Sequence, residues 1–182
     1  FFLGAMANFL ARQPELPSDA EFTIERALVV PMFPDVYDFG KRFNMRIKTT
    51  YGSTEACSPH RMEWDDPNWQ SCGRLLDEYF DARIVDENDE EVANGTVGEF
   101  VIRGKQPWLL MAGYWRHPEW TEEAWSNLWL HSGDAMWRDD KGNYYFTDRV
   151  KDSIRRRGEN ISSMEVENEV NLHPDVVECA VF

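Results

Sequence analysis

The sequence predicts a mixed α/β fold in which a layer of parallel strands and helices precedes a region of short strands and a further helix. The first observation is a βαβ pattern: an apolar run at residues 27–30, helical spacing of apolar residues from Val36 to Phe43, and an alternating segment at residues 45–50. The second is the change, from residue 70 onward, to short alternating segments separated by turns. The third is a hydrophobic content of 42%, which can bury a core within the 182 residues.

The elements of the first half follow from local spacing. Residues 2–12 predict a helix because Leu3, Met6, Phe9 and Leu10 recur at helical intervals, and we expect Met6 and Phe9 in the core. Residues 13–19 are rich in helix breakers and predict a loop before the βαβ pattern begins.

The second half predicts strands first and a helix afterwards. Residues 80–85 and 98–104 alternate as strands on either side of an acidic turn. The sequence His-Pro-Glu at residues 117–119 is typical of a helix start, and this helix is predicted to carry Trp120 and Trp125 as packing residues.

Charge and cysteine content narrow the class of protein. With 33 acidic and 19 basic residues the net charge is −14, which argues against nucleic-acid binding because phosphate contacts need a broad basic surface. No apolar run approaches the roughly 18 residues that span a bilayer. The three cysteines have no metal-binding or CxxC spacing, which predicts no zinc site and no disulfide framework and favours a cytoplasmic setting.

The two ends of the sequence suggest a piece of a longer protein. The chain begins Phe-Phe-Leu without methionine, and residues 178–182 resemble a strand interrupted before any turn.

The first candidate site is the sequence Thr-Tyr-Gly-Ser-Thr-Glu-Ala at residues 50–56, where the second predicted strand ends. Ligands gather beyond the carboxyl ends of such strands. Tyr51 can offer its face to a purine, Gly52 allows close approach of the backbone, Thr54 can donate to a phosphate oxygen, and Glu55 is a hard ligand suited to Mg²⁺. The alternative is a turn with a Ser/Thr cap.

The second candidate site is Ser-Gly-Asp at residues 132–134. An ionised aspartate only accepts hydrogen bonds, so Asp134 held in a glycine turn suits the two hydroxyls of a ribose. The alternative is a simple turn. A second turn at residues 139–143 then predicts a hairpin that continues into a strand at residues 144–147.

The third candidate is a basic stretch, since five cations lie between residues 149 and 157 in an otherwise acidic chain. The sequence Ser-Ser-Met-Glu at residues 162–165 has the spacing of a capping box that opens a helix. Cations close to a helix start favour an anionic ligand, although a solvated basic loop would give the same pattern.

These motifs together resemble the AMP-forming adenylating enzymes, a family of acyl-CoA ligases, peptide-synthetase activation domains and firefly luciferase. The Tyr-Gly-Ser-Thr-Glu at 51–55 is similar to the family's Tyr-Gly-x-Thr-Glu, residues 98–104 to its Gly-Glu-Leu-x-Val-x-Gly, and residues 132–134 to its Thr-Gly-Asp. Residues 148–167 are similar to its Gly-Arg…Lys-x-x-Gly…Glu-Ile-Glu. The four occur in the family's order.

The resemblance implies roles for individual residues. In the first motif Tyr51 stacks on adenine, with Gly52 and Ser53 beside the nucleotide, Thr54 meets the α-phosphate and Glu55 holds Mg²⁺. Further along the chain, ribose contacts are implied for Asp134 and Arg149, an interdomain hinge for Lys151, and a place in the pantetheine tunnel of coenzyme A for Gly158, Glu159 and Asn160.

The implied fold is the C-terminal part of the family's large domain, an α/β layer plus a distorted β-barrel-like subdomain, over residues 1–148. The hinge and the start of the small α+β domain follow at residues 149–182. The sequence departs from the family at Ser132 and Asp148, where threonine and glycine are usual. It contains neither the family's Gly-rich phosphate loop nor its distal catalytic lysine, so we expect no acyl-CoA synthesis from the 182 residues alone.

The implied activity is ATP-dependent conversion of a small carboxylic acid to an acyl-adenylate, followed by transfer to CoA with release of AMP and pyrophosphate. The sequence Arg-Arg-Gly-Glu-Asn-Ile-Ser at residues 156–162 is most similar to ligases of the carnitine/crotonobetaine type. Two alternatives stay open: a noncatalytic nucleotide-binding or scaffold module, and an amino-acid activation domain that loads a carrier protein.

Overall fold

In a computed structural model of the chain, the described residues are 1–151, 154–156, 159–161, 163–171, 173, 175–176 and 179–181. The first layer is a three-stranded parallel sheet with the order β1–β2–β3, formed by Phe2–Leu3, Arg26–Val30 and Arg46–Lys48. Helix α1 (Gly4–Ala11) follows β1, a short 3-10 helix spans Pro17–Glu21, and α2 (Val36–Arg42) connects β2 to β3. The predicted βαβ pattern is confirmed.

The second layer is a seven-stranded antiparallel sheet. Its strands pair in the order β4–β5–β10–β9–β7–β6, and β8 pairs with β9 outside this path. In chain order the strands are β4 (His60–Arg61), β5 (Gly73–Leu75), β6 (Phe80–Val85), β7 (Gly98–Gly104), β8 (Trp125–Ser126), β9 (Trp129–Arg138) and β10 (Asn143–Arg149). Helix α3 (Pro118–Ala124) lies between β7 and β8.

Each layer has its own apolar core. The parallel layer buries Val29, Phe39 and Ile47 among others, and the antiparallel layer buries Phe100, Leu130 and Met136 among others. Tyr51 belongs to the second core although it follows the last strand of the first layer. The loop after β3 therefore joins the two layers, and it is the loop that carries the first candidate site.

The C-terminal part continues from β10 into a two-stranded antiparallel ribbon and a helix. The ribbon consists of β11 (Ile154–Arg156) and β12 (Glu159–Ile161), and helix α4 spans Ser163–Asn171. Among the described residues no helix combines the length and the apolar character that crossing a bilayer would need. Residues 179–181, in the segment for which we predicted a strand, lie in no strand.

Three predictions about elements need correction. The helix predicted at residues 2–12 is shorter, and its Leu3, Met6 and Phe9 side chains are exposed, because the helix turns its Gly4 and Ala7 face to the core. Trp125 was predicted on a helix but lies on β8, after α3 ends at Ala124. Residues 132–134 were predicted as a turn and instead lie within the long strand β9.

Candidate functional site

The loop from Thr49 to Cys57 is closed by its own hydrogen bonds. The amide of Ser53 donates to the carbonyl of Cys57 at 2.9 Å, and the hydroxyl of Ser53 accepts from the amide of Ala56 at 3.1 Å. A Cβ on Gly52 would lie 2.2 Å from the Cys57 carbonyl oxygen, so the loop needs glycine there. This turn leaves Thr54 exposed and directs the Glu55 side chain into a cleft.

Glu55 is held by a residue far away in the sequence. The hydroxyl of Tyr114 donates to Oε1 of Glu55 at 2.9 Å, and the amide of Met111 donates to the Glu55 carbonyl at 2.8 Å. Burial acts to raise the pKa of the Glu55 carboxyl, but the hydrogen bond from Tyr114 and the charge of Arg149 are among the effects that outweigh it and keep the pKa below its usual value. Glu55 is therefore an anion at neutral pH.

Tyr51 is buried, and its hydroxyl donates to Oδ2 of Asp134. Two rings, those of His60 and Phe100, contact Tyr51 edge-on with centroids 5.4 Å away. Burial is the main reason that the pKa of Tyr51 is raised, so the hydroxyl stays protonated and serves as a donor. The structure thus links the first predicted site to the second through one hydrogen bond, which the sequence did not predict.

Asp134 carries a buried acceptor atom. Asp134 is 2% exposed. Burial raises the pKa of its carboxyl, while the hydrogen bond from Tyr51 and the charge of Arg149 act to lower that pKa. Atom Oδ1 accepts no hydrogen bond from the described residues, although Nη1 of Arg149 forms an ion pair with it at 3.0 Å. A buried carboxylate oxygen with spare acceptor capacity suits a ligand that brings hydroxyl donors.

A β-bulge presents Asp134. Because Glu99 pairs with Ala135 and Val101 pairs with His131, the three residues 132–134 of β9 stand opposite the single residue 100 of β7. Gly133, at the middle of the bulge, has a φ of 70°, which a side chain would strain. The local structure that presents Asp134 is therefore a bulge and not the predicted glycine turn.

An open cleft of about 930 Å³ lies beside these residues. Its lining brings together parts of the chain that are distant in sequence: Glu55, Glu99, Tyr114, Trp120, Glu123, Ala124, His131, Ser132, Gly133, Arg149, Val150 and Lys151. Arg149 is 56% exposed at its side chain and reaches from the cleft to buried Asp134. The cleft is therefore lined by the anionic carboxylate of Glu55 and by the cation of Arg149, and Arg149 pairs with Asp134, which lies buried behind the lining residues.

The predicted hinge is adjacent to the cleft. Lys151 is exposed and lines it, and the amide of Val150 donates to the carbonyl of Gly133 at 2.9 Å. Buried Asp148 accepts from the Ser163 amide at 2.7 Å and from the Ser163 hydroxyl at 3.0 Å, and so joins β10 to the start of α4. The sequence motif had given no sign of this contact.

The remaining predicted residues lie partly beyond what the structure describes. Glu159 and Asn160 lie on β12, as backbone positions paired with Arg156 and Arg155. Gly158 is outside the described residues. The implied pantetheine contact of these three residues stays a prediction.

Sequence reasoning gave no role to Tyr114 or His60, each of which contacts a predicted site residue. Tyr114 is preceded by glycine and followed by a helix start, a pattern that locates a loop end but not a partner for Glu55. His60 is buried against Tyr51, Phe100 and Tyr144, and neither of its ring nitrogens has a hydrogen-bond partner in the described part of the chain. Burial lowers the pKa of His60 to about 3, so the ring is neutral and packs as an aromatic.

The donor set suits a nucleotide and, through Glu55, a magnesium ion. The described residues contain no cluster of three or more His, Cys, Asp or Glu side chains able to hold a metal. Mg²⁺ is often held by one or two carboxylates together with substrate phosphates, and Glu55 can supply one such ligand. For the nucleotide, the spare acceptor of Asp134 fits the hydroxyl donors of a ribose.

The chain belongs to the AMP-binding enzyme family, whose profile matches residues 7–115. It is 35% identical to the crotonobetaine/carnitine–CoA ligase of Proteus mirabilis (strain HI4320) over 182 residues, which cover 97% of this chain and 35% of that ligase. It is 32% identical to the ligase of the same name from Salmonella typhimurium (strain LT2), again over 97% of this chain and 35% of the relative. The chain thus spans about a third of the length of these relatives.

Solved structures give the same fold. The amide bond synthetase McbA from Marinactinospora thermotolerans superposes with a TM-score of 0.80 at 28% identity, over 98% of this chain and 37% of that one. The O-succinylbenzoate coenzyme A synthetase MenE from Bacillus subtilis, in complex with AMP, gives 0.76 at 24% identity, over 98% of this chain and 37% of MenE. The mixed α/β fold that the sequence predicts is confirmed.

Proposed function

We propose that the full-length protein activates a small carboxylic acid with ATP and passes the acyl group to coenzyme A. The observation that carries this proposal is that Glu55 and Arg149 line one cleft and that Arg149 forms an ion pair with the buried carboxylate of Asp134. Membership of the AMP-binding family and the printed names of the relatives, which are CoA ligases, support the same conclusion.

In the first half-reaction a carboxylate oxygen of the substrate attacks the α-phosphorus of ATP. The bond from that phosphorus to the bridging oxygen breaks, and pyrophosphate leaves with the electron pair. Such transfers depend mainly on positioning and charge neutralisation. Thr54 would donate to an α-phosphate oxygen, Glu55 would hold Mg²⁺, and the Mg²⁺ would offset the phosphate charge.

The ribose would be held by Asp134 and Arg149. The carboxylate accepts hydrogen bonds from the hydroxyls through Oδ1, while Tyr51 keeps Oδ2 engaged and so fixes the orientation of the carboxylate. Stacking of adenine on Tyr51 is part of the proposal, with Gly52 and Ser53 alongside. Arg149 would then divide its contacts between Asp134 and the sugar.

In the second half-reaction the thiol of CoA attacks the acyl carbonyl carbon. The carbon–oxygen bond to AMP breaks, the thiol proton passes to water, and AMP leaves as the phosphate anion. We propose that residues 149–182 belong to a small domain that turns about Lys151 between the two steps, bringing the 158–160 turn to the pantetheine arm. Residues 1–148 would then belong to the large domain.

The experiment is pyrophosphate exchange by the full-length protein with a panel of carboxylic acids, ATP and Mg²⁺. We expect exchange with at least one acid, and loss of that exchange in Asp134→Ala, since the ribose contact contributes on the order of a few kcal/mol. Asp140→Ala, in the exposed β9–β10 turn, is the matched control. Exchange that is equal in Asp134→Ala and wild type would contradict the assignment.

One structural neighbour favours a different acceptor. The amide bond synthetase at 28% identity indicates that a similar fold can serve an acyl transfer to an amine. Adding CoA, or a panel of amines, to the enzyme with preformed acyl-adenylate distinguishes the two, because one gives a thioester and the other an amide. We expect the thioester, since the CoA ligases are 35% and 32% identical to this chain and the amide bond synthetase is 28% identical.

A further inference from the structure

We propose that Glu99 is a positioning residue for the nucleotide, which acts by fastening the β-bulge that presents Asp134. The proposal rests on the proposed function in one respect, the role of Asp134 in binding ribose. It concerns a glutamate on β7 to which the sequence assigned no role in the site.

The Glu99 carboxylate uses both oxygens on β9. Oε1 accepts a hydrogen bond from the amide of Gly133 at 3.0 Å, and Oε2 lies 3.0 Å from Nδ1 of His131. The Nε2 of the same histidine lies 3.7 Å from Oδ1 of Asp89. Glu99 thus contacts the residue before the bulge and the residue at its centre.

The Gly133 amide would otherwise have no partner from the ladder. In a bulge the extra residues are displaced from the regular pairing, so their backbone groups need other partners. Ser132 contributes a second fastening, because its hydroxyl donates to the carbonyl of Phe100 at 2.7 Å and accepts from the amide of Asp134 at 3.1 Å. The bulge is therefore held at its first residue by Ser132 and at its centre by Glu99.

The hydrogen bond from Gly133 to Glu99 helps to set the direction in which the Asp134 side chain points. Asp134 is the last residue of the bulge, so the direction of its side chain depends on the backbone of Gly133. Glycine has no side chain to favour one backbone conformation, and Gly133 takes a left-handed φ of 70°. A charge-assisted hydrogen bond to the Gly133 amide selects that conformation. Without it, we expect Oδ1 of Asp134 to sample positions from which it no longer faces the ribose.

The test is a double-mutant cycle on AMP binding to the full-length protein, measured by calorimetry. Glu99→Ala should weaken AMP binding by about tenfold or more. It should cause no further loss in an Asp134→Asn background, because a residue that acts through Asp134 has nothing left to position. Glu99→Gln retains an oxygen for the Gly133 amide and should stay close to wild type.

A second measurement tests whether Glu99 stabilises the backbone of the bulge. Hydrogen–deuterium exchange of the peptide that contains Gly133 should become faster in Glu99→Ala and stay near the wild-type rate in Glu99→Gln. Glu122→Ala, an exposed glutamate on α3, is the matched control and should change neither binding nor exchange. If Glu99→Ala does not fold, Glu99→Asp takes its place, and its carboxylate is one methylene too short to reach the amide.

The outcomes separate this inference from the proposed function. Normal AMP affinity in Asp134→Asn would overturn the ribose assignment, and this inference with it. Weak binding by Asp134→Asn together with normal binding by Glu99→Ala would overturn the role of Glu99 alone. The role of Glu99 would also be overturned if Glu99→Ala weakened AMP binding by the same factor in the wild-type and Asp134→Asn backgrounds, because that is the result of a general structural effect.

Discussion

Tyr51→Phe removes one hydroxyl from the buried contact between the two halves of the site. The ring remains, so its edge-on packing against His60 and Phe100 is preserved. Asp134 loses the donor to Oδ2, and Oδ1 already has no hydrogen bond from the described residues. A hydrogen bond to a charged group contributes about 1.5–3 kcal/mol, so we expect the variant to be less stable by that amount at neutral pH.

The stability lost in Tyr51→Phe depends on pH because the protonation of Asp134 is coupled to folding. Burial raises the pKa of Asp134, so the ionised carboxylate reduces stability in wild type as the pH rises through that raised pKa. The hydrogen bond from Tyr51 opposes burial, and the pKa of Asp134 in the variant is therefore higher still. The difference in the free energy of unfolding between wild type and Tyr51→Phe is therefore full at pH values above the pKa of Asp134 in the variant. It shrinks at lower pH, where Asp134 is protonated in both proteins.

The assay is the melting temperature of wild type and Tyr51→Phe across a pH series, with AMP affinity measured beside it. The melting-temperature difference should narrow toward acid pH, and AMP binding by the variant should fail at a higher pH than in wild type. Tyr79→Phe, a partly exposed tyrosine, is the control for loss of a hydroxyl. A difference that is absent, or that is constant across the series, would refute the coupling of Tyr51 to Asp134.

Three further predictions test other parts of the site. Glu55→Gln should raise the Mg²⁺ concentration for half-maximal pyrophosphate exchange sharply, and Tyr114→Phe should raise it by a smaller factor; a half-saturation equal to wild type in Glu55→Gln would remove Glu55 from the metal site. Lys151→Pro should fix φ near −65° and spare one half-reaction while slowing the other by orders of magnitude, whereas equal loss of both at an unchanged melting temperature would show that Lys151 is not the hinge. Asp148→Ala should destabilise the start of α4 by about 1–2 kcal/mol, and unchanged hydrogen exchange over residues 163–171 would contradict this.

The element pattern could be predicted because it depends on local periodicity. The strands at residues 27–30, 80–85 and 98–104, and the helix that follows His117, come from alternation, glycine brackets and a proline at the first helical position, and the structure confirms them. The buried face of the first helix was not predicted correctly, since the spacing of apolar residues indicates an apolar face but does not show which face meets the core. Gly4 and Ala7 face inward, and a Cβ on Gly4 would lie 2.4 Å from the Pro31 carbonyl oxygen, so packing decides which face is buried.

The short motifs of the sequence predict a nucleotide site from the functional groups that they contain. Tyr51, Glu55 and Asp134 were predicted from residue type and position, and the ribose contact of Arg149 was implied by the resemblance to the family. The tertiary structure decided how these groups are coupled: Tyr51 donates to Asp134 across 83 positions, and Tyr114 donates to Glu55 across 59. It also decided that Ser132–Asp134 form a bulge held by Glu99 on a neighbouring strand. The contact of Glu99 with Gly133 arises from the register of two antiparallel strands, whereas the two tyrosine contacts arise from the packing of loops that lie outside the strands. All three join residues far apart in the chain and leave no local trace in the sequence.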